Sequence, residues 1–185
     1  MNKIWFTSDT HFGSQRTLEL SKRPFTTVEE MDEVMIENWN NVVSKNDIVY
    51  HLGDFGDYEK VKRLNGIIML ILGNYEEKDG EQGKLPLIDN KYLLLEGFDK
   101  ILGRTNQVSY SNRIINLSHE PSKVKDKKID EINVDLFGHI HKLCMIKPYG
   151  LNVGVDCHNF KPIDMETVLF YHNAILNHYD NEVFN

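Results

Sequence analysis

Five short apolar runs in this chain each end in a polar turn that pairs glycine or proline with residues able to bind a metal. The turns are Asp9-Thr10-His11-Phe12-Gly13, Gly53-Asp54, Gly73-Asn74, His119-Glu120-Pro121 and Gly138-His139-Ile140-His141. In the first part of the chain, the order strand, polar turn and helix repeats three times. This repeat predicts an α/β layered architecture, in which ligands gather at the carboxyl ends of the strands.

The apolar pattern also predicts the elements one by one. Strands are predicted over residues 4–8, 47–52, 67–72, 92–95, 107–110, 113–118, 134–137, 143–147 and 151–155, with a hairpin turn at Ser111-Asn112. Helices are predicted over residues 27–43, capped by Thr26 or Thr27, over 58–64, and from Asp164 to 176. The charged segment 77–83 carries two glycines and is predicted to be a mobile loop.

Residues 15–24 are predicted to form a loop or a short helix. The basic residues Arg16, Lys22 and Arg23 within it are expected to be solvated surface residues, and the alternative is that they neutralise a phosphate. His172 and His178, near the end of the sequence, are also expected at the surface.

The composition is that of a globular protein, with 41% hydrophobic and 26% charged residues in a chain of 185. We find no repeat, low-complexity segment or linker, so residues 1–185 are expected to form a single domain. The net charge of −7 argues against a surface that binds an extended nucleic-acid duplex. It leaves room for a local anion site.

The two cysteines, Cys144 and Cys157, are too few for a disulfide framework and lie in apolar stretches. They are expected to be reduced core residues, as in a reducing compartment. The first residues reach charge too early for a signal peptide, and no apolar run approaches membrane-spanning length. We therefore expect a cytoplasmic protein that does not bind a membrane.

The polar turns supply seven candidate metal ligands: Asp9, His11, Asp54, Asn74, His119, His139 and His141. Each taken alone has an ordinary interpretation, such as a capping aspartate or a pair of surface histidines. In an extended stretch His139 and His141 would point the same way, which suits one metal or two adjacent metals. Mixed nitrogen and oxygen ligands favour Mn, Fe, Co, Ni or Zn over Ca or Mg.

In this order the motifs resemble those of the calcineurin-like metallophosphoesterase superfamily, whose pattern is Asp-x-His, Gly-Asp, Gly-Asn-His, a separate His, and Gly-His-x-His. The match runs from Asp9 to His141. The segments 152–156 and 160–163 also look like those of small bacterial and phage-type members. The resemblance implies a four-layer αββα sandwich with two mixed β-sheets.

The resemblance also implies a pair of divalent transition-metal ions, with manganese favoured. One metal would be held by Asp9, His11, Asp54 and His141, and the other by Asp54, Asn74, His119 and His139. Asp54 would bridge them, because a carboxylate can hold two cations about 3.5–4 Å apart. The implied reaction is hydrolysis of a phosphate ester by a water or hydroxide that bridges the metals.

One position departs from the family pattern. The histidine that usually follows Gly-Asn contacts the phosphate and can protonate the leaving group, but here that residue is Tyr75. Phenol is a weaker acid than imidazolium, which leaves three interpretations. In the first, Tyr75 acts as a weak acid and contacts the phosphate. In the second, His51 or His158 supplies the proton, although a structural role is expected for both. In the third, the substrates have good leaving groups that need no proton.

We therefore expect a phosphodiesterase in which Tyr75 contacts the phosphate of a small ester, such as a cyclic nucleotide or a short oligonucleotide. The alternatives are a phosphomonoesterase or phosphoprotein phosphatase that uses the same site, a nuclease, and a metal-binding scaffold with little catalysis. The negative net charge argues against a nuclease, and so does the lack of a stretch in which basic and aromatic residues alternate. The complete ligand set counts against the scaffold.

Overall fold

The computed structural model describes residues 2–82, 87–88, 91–92, 97–121 and 130–179. The strands in these ranges are β1 (Ile4–Thr7), β2 (Ile48–His51), β3 (Ile67–Leu70), β4 (Leu87–Ile88), β5 (Lys91–Tyr92), β6 (Lys100–Ile101), β7 (Thr105–Tyr110), β8 (Arg113–Ser118), β9 (Asn133–Phe137), β10 (Ile146–Lys147), β11 (Gly150–Asn152) and β12 (Ile163–Asp164). The α-helices are α1 (Gln15–Leu20), α2 (Val28–Val42), α3 (Asn74–Glu81) and α4 (Met165–Asn177). Short 3-10 helices cover Tyr58–Arg63, His141–Leu143 and Val155–Cys157. Of the helices in the described ranges, none has the length and apolar character needed to cross a membrane.

Two mixed five-stranded sheets form the frame, as predicted. In the first sheet, with order β12-β1-β2-β3-β6, strands β1, β2, β3 and β6 are parallel and β12 is antiparallel to β1. In the second sheet, with order β10-β11-β9-β8-β7, strands β11, β9 and β8 are parallel and the two edge strands are antiparallel to their neighbours. Strands β4 and β5 pair with each other.

The carboxyl ends of parallel strands from both sheets meet at one edge. A parallel bridge pairs Ser8, just after β1, with Gly154, just after β11. In the second sheet, the Gly138 amide that follows β9 donates to the His119 carbonyl that follows β8, at 2.9 Å. The polar turns that follow these strands therefore lie side by side.

Apolar side chains cover both faces of the first sheet. Trp5 of β1 packs in one cluster with Met31, Met35 and Trp39 of α2. The next residue, Phe6, points to the opposite face and packs in a second cluster with residues of β8, β9 and α4. The two-residue repeat of a strand explains this division, and burial of both faces explains why the strand runs are almost continuously apolar.

The predicted helix caps are confirmed. The Thr27 hydroxyl accepts the Glu30 amide hydrogen at 3.1 Å, and α2 begins at the residue after Thr27. The Asp164 carboxylate accepts the Thr167 amide hydrogen at 2.9 Å, and α4 begins directly after this aspartate. The hairpin at Ser111-Asn112 is also confirmed, between β7 and β8.

Two local predictions are wrong. Most of segment 77–83 is helical, because Glu76 accepts the Gly73 amide and caps the start of α3; residue 83 lies outside the described ranges. The strand predicted over 143–147 is reduced to β10. The Asn152 side chain donates to the carbonyls of His141 and Cys144, which occupies carbonyl groups that a longer strand would pair. Of the strand predicted over 92–95, residues 93–95 lie outside the described ranges.

His172 is buried, with only 3% of its surface exposed, so the expectation of a surface residue was wrong. Its Nε2 atom lies 2.8 Å from the Asp130 carbonyl and 3.1 Å from the Asn133 carbonyl. The ring therefore donates to the chain that enters β9 and ties α4 to the second sheet. Burial lowers the pKa of His172, so the folded protein disfavours the charged form of the ring.

Replacing His172 with phenylalanine is expected to lower the free energy of unfolding by about 1–3 kcal/mol at pH 8, because buried carbonyls lose their donor. The loss should be smaller at pH 5. In the unfolded chain the ring takes up a proton below about pH 6.5, whereas the folded protein resists protonation, so the contribution of His172 declines as the pH falls through that value. Urea unfolding at both pH values measures the difference.

The exposed His178 provides the matched control. We expect His178→Phe to leave the free energy of unfolding within about 0.5 kcal/mol of the wild type. An equal loss for His172→Phe at both pH values would contradict a buried, neutral ring.

Candidate metal centre

Six of the predicted ligands lie in two groups at the edge where the strands end. Asp9, His11 and His141 form the first group, and Asp54, His119 and His139 form the second. In each group the three ligand atoms all lie within 4.8 Å of one another. The seventh predicted ligand, Asn74, joins the second group, so the structure brings all seven side chains together.

The second group surrounds a small space. Asn74 Oδ1 is 3.1 Å from His119 Nε2 and 3.1 Å from His139 Nδ1, and these two nitrogens are 3.2 Å apart. His119 Nδ1 lies 2.7 Å from the Leu52 carbonyl and donates its hydrogen there. In a neutral His119 ring, Nε2 therefore presents a lone pair to the space. Converging lone pairs repel each other unless a cation lies between them.

The same space favours positive charge, whether from a metal ion or from a proton on His119. Asp9 and Asp54 are both almost fully buried, and a buried carboxylate is unfavourable without a compensating charge. Burial lowers the pKa of His119, but its hydrogen bond to Asp54 and the charges of Asp9 and Asp54 outweigh burial and raise the pKa to about 9. The protonated ring thus supplies the charge that a metal cation would supply.

Asp54 lies between the two groups. Its Oδ2 atom is 3.5 Å from His11 Nε2 and 3.4 Å from His119 Nε2. Its Oδ1 atom accepts the Tyr75 amide hydrogen at 3.0 Å, which fixes the orientation of the carboxylate. One carboxylate oxygen therefore faces ligands of both groups.

His11 indicates a missing partner in the first group. Its ring is buried, and among the described residues neither ring nitrogen has a hydrogen-bond partner. Burial lowers the pKa of His11 to about 3, so the ring is neutral with an unused lone pair. A buried polar atom without a partner is unfavourable, and a metal ion would satisfy it. Imidazole nitrogens together with carboxylate and amide oxygens fit a divalent transition-metal ion.

Five of the ligands have a left-handed backbone. The φ angles are 57° at Asp9, 48° at His11, 58° at Asp54, 72° at His139 and 49° at His141. This conformation costs roughly 1–2 kcal/mol for each residue other than glycine, and it clusters at functional sites. His139 and His141 therefore do not lie in an extended stretch, in which their rings would point the same way. Sharp turns aim these two rings into different ligand groups.

Glycines beside the ligands let the loops approach closely. A Cβ atom at Gly138 would overlap Ser8 Oγ and Asp9 Oδ2, and a Cβ atom at Gly73 would overlap Asp54 Oδ1. The His139 amide that follows Gly138 donates to both Asp9 carboxylate oxygens, at 2.9 and 3.0 Å. Both glycines are required because the ligands occupy the space of a side chain.

Glu76, which our sequence analysis did not single out, fixes two of the ligand turns. It is buried in the first turn of α3, and its carboxylate accepts the amide hydrogens of Gly73, Asp54 and Phe55, each at 2.8 Å. Burial and the charge of Asp54 raise the pKa of Glu76 to about 7. A glutamate three residues after a helix N-cap is the signal that could have identified it.

A buried ion pair orients His141. Its Nδ1 atom is 2.9 Å from Asp156 Oδ2, which leaves the other ring nitrogen available to a metal. Arg23 donates to both Asp156 oxygens, at 2.9 and 2.7 Å, and to the carbonyls of Thr10 and Asp9, at 2.8 and 2.6 Å. Arg23 is only 5% exposed, so the expectation of a solvated residue was wrong.

Comparison with known proteins gives a match over the part of the chain that contains the candidate ligands. A family model described as calcineurin-like phosphoesterase matches residues 2–143, a range that contains all seven ligands. The chain belongs to the calcineurin-like phosphoesterase family. It is a metal-dependent phosphoesterase, and the matched range contains both candidate ligand groups.

Two relatives match this phosphoesterase over most of its length. An uncharacterized protein of Methanocaldococcus jannaschii is 31% identical over 180 residues, which cover 91% of this chain and 90% of the relative. The Gene 66 protein of Mycobacterium phage D29 is 26% identical over 189 residues, which cover 89% of this chain and 94% of the phage protein. A crystal structure of a protein of unknown function from Aquifex aeolicus matches with a TM-score of 0.69 and 24% identity, over 92% of this chain and 100% of that one. This similarity shows a shared fold.

In this phosphoesterase the ligand groups open into a cavity of about 480 Å³. The cavity is lined by the ligands His11, Asp54, Asn74, His139 and His141 and by Arg16, Thr17, Leu20, Ser21, Tyr75, Ile140, Lys142 and Leu143. The Tyr75 ring stands edge-on to the His11 ring, with centroids 4.8 Å apart. Arg16 Nη1 donates to the Tyr75 hydroxyl oxygen at 2.6 Å. The residue that departs from the family motif therefore lies beside the ligands.

The other two predicted proton donors lie elsewhere. His51 is fully buried in β2, its Nε2 atom is 2.9 Å from the Thr10 hydroxyl, and burial lowers its pKa to about 3. His158 is buried too, and its Nε2 atom lies 2.7 Å from the Asn152 carbonyl. The described residues that line the cavity include Tyr75 but neither of these histidines.

Replacing Asp156 with asparagine is expected to weaken Mn²⁺ binding at the first group about 10- to 100-fold. The amide would not hold the His141 ring and balance Arg23 as the carboxylate does. Titration of Mn²⁺ into metal-free protein by calorimetry measures the affinities. The exposed Glu166 provides the control Glu166→Gln, which removes the same charge in the first turn of α4. An unchanged Mn²⁺ affinity in Asp156→Asn would contradict a role of Asp156 in orienting His141.

Proposed function

We propose that this chain hydrolyses small phosphodiesters at a centre of two divalent metal ions. The observation that carries the proposal is the position of Asp54 Oδ2, 3.5 Å from His11 Nε2 and 3.4 Å from His119 Nε2. A carboxylate oxygen between two groups of ligands suits two cations that share it. The first cation would be held by Asp9, His11, Asp54 and His141, and the second by Asp54, Asn74, His119 and His139. We favour manganese, with iron, cobalt, nickel and zinc as the other candidates for this donor set.

Bound divalent cations supply Lewis-acid charge to the phosphoryl oxygens and make water a stronger nucleophile at neutral pH. The protein holds the ligands in place before substrate binds. Glu76 pins the turns of Asp54 and Asn74, and the Arg23–Asp156 pair orients His141. Ligands held in this way need little reorganisation during the reaction, which favours catalysis.

Arg16 and Tyr75 extend the site towards the substrate. The Tyr75 oxygen accepts from Arg16, so the Tyr75 hydroxyl hydrogen can be donated to an oxygen of the substrate. Arg16 lines the same cavity and has further N–H donors with which to contact a phosphate. We assign to these two residues the binding and orientation of the phosphate group.

Tyr75 also supports the choice of a diester with a stable leaving group. Phenol gives up a proton less readily than imidazolium, so a poor alkoxide leaving group would receive less help than from the usual histidine. Esters whose leaving group is already stable depend less on that proton. The net charge of −7 favours a small substrate over a long nucleic acid.

Replacing Asp54 with asparagine is expected to lower kcat/KM on bis(p-nitrophenyl) phosphate by orders of magnitude. It should also weaken the binding of both metals, because both lose a shared negative ligand. Activity and metal content, measured on the same Mn²⁺-loaded sample, test both effects. The exposed Asp57 provides the control Asp57→Asn, which removes the same charge three residues away.

Unchanged activity of Asp54→Asn would remove the shared carboxylate from the proposal. A different result would identify a scaffold: wild-type protein that binds two Mn²⁺ ions but turns over neither bis(p-nitrophenyl) phosphate nor p-nitrophenyl phosphate.

Replacing Tyr75 with histidine is expected to raise activity on esters with poor leaving groups more than on nitrophenyl esters. A positioned general acid contributes about 10²–10⁴-fold when the leaving group needs a proton. The comparison is between 2′,3′-cyclic AMP, with an alkoxide leaving group, and bis(p-nitrophenyl) phosphate. Tyr110→His, on the exposed strand β7, controls for the added imidazole. An equal response on both substrates would place Tyr75 away from the leaving group.

A further inference from the structure

We propose that Leu20 and Leu143 form a binding surface for a flat apolar substituent of the substrate ester, such as an aryl ring or a nucleobase. We call this pair the apolar rim. The inference rests on the proposed function, because the phosphate of the same molecule would lie on the metal ligands. It adds the class of the organic group that the site selects.

The exposure of these leucines is the first observation. Leu20 is 66% exposed and Leu143 is 86% exposed. Six large apolar side chains of the described residues are exposed, and Leu20 and Leu143 are the two of these that line the cavity beside the metal ligands. A single exposed leucine needs no explanation, but two in one functional cavity offer apolar area to a ligand.

The second observation is that the two leucines flank the same metal ligand from separate segments. Leu20 is the last residue of α1, and the hydroxyl of the next residue, Ser21, lies 3.2 Å from His141 Nδ1. Leu143 ends the 3-10 helix that begins at His141. A group bound between these leucines would therefore lie next to the first ligand group, within the reach of an ester whose phosphate sits on that group.

The charges of the cavity fit such a ligand. Arg16 and Lys142 line the same space as the apolar rim, in a chain whose net charge is −7. Cations and apolar side chains together suit a molecule with an anionic phosphate and an apolar substituent. The aliphatic side chains of Leu20, Leu143 and the neighbouring Ile140 offer no hydrogen-bonding group, which disfavours a polyol such as a sugar phosphate.

Binding of two phosphonates to the Mn²⁺-loaded protein tests the apolar rim without relying on turnover. Phenylphosphonate and methylphosphonate differ only in the organic group, and neither has an ester bond to hydrolyse. We expect phenylphosphonate to bind at least about tenfold more tightly, a factor that corresponds to about 1.4 kcal/mol and to partial burial of a ring. Isothermal titration calorimetry gives both dissociation constants.

The double variant Leu20→Ser/Leu143→Ser should remove most of this tenfold preference and leave the affinity for methylphosphonate within about twofold of the wild type. Both side chains are mostly exposed, so the variant should fold, which unfolding temperature checks. Phe170→Ser is the matched control, because Phe170 is also 66% exposed but lies on α4. It should leave both affinities unchanged.

Two results would overturn the inference: equal affinity of the wild type for the two phosphonates, or an undiminished preference for phenylphosphonate in the double variant. Failure of the proposed function looks different. In that case the Mn²⁺-loaded wild type would bind phenylphosphonate selectively but hydrolyse none of the esters tested above.

Discussion

The buried carboxylate of Asp54, held between two groups of imidazoles, is the constraint on which the rest of the site depends. A negative charge in this position requires nearby positive charge, and the raised pKa of His119 shows that the surroundings demand it. The same requirement explains the contacts one layer further out. The Leu52 carbonyl orients His119, and Glu76 holds the backbone of Asp54 itself. His119, Asp54 and His141 are thus held by contacts that do not involve a metal.

Holding the ligands in these positions has an energetic cost for the fold. A left-handed backbone is unfavourable for any residue other than glycine, and five ligands have one: Asp9, His11, Asp54, His139 and His141. In addition, glycines must stand where ligands pack directly against the backbone. The apolar packing on both faces of the first sheet offsets that cost. Because the strands of both sheets end at one edge, the strained turns lie next to the stable core and not on distant loops. This arrangement explains how a chain of 185 residues can hold so many strained ligands.

Sequence analysis succeeded where the signal is local. Thr27 and Asp164 were recognisable as caps because a capping side chain bonds within three residues of itself. It failed where a residue's role depends on a distant partner. The residues around Arg23 predict a surface cation, because its partner Asp156 lies 133 residues away in the sequence. His172 similarly bonds to carbonyls about 40 residues before it, so its burial has no local signature.

The identity and order of the seven candidate ligands were readable from the residues, because a metal ligand must carry a particular atom and these atoms recur after apolar runs. The two-sheet architecture followed from the same runs together with the family resemblance. The grouping of the ligands came from the family resemblance, which assigned His141 to the first group and His139 to the second, as the structure places them. The spacing of two residues would not by itself have separated their rings. Backbone turns, buried charges and the ring nitrogen that each histidine presents are set by contacts between segments far apart in the chain. Those contacts exist only once the two sheets have packed together.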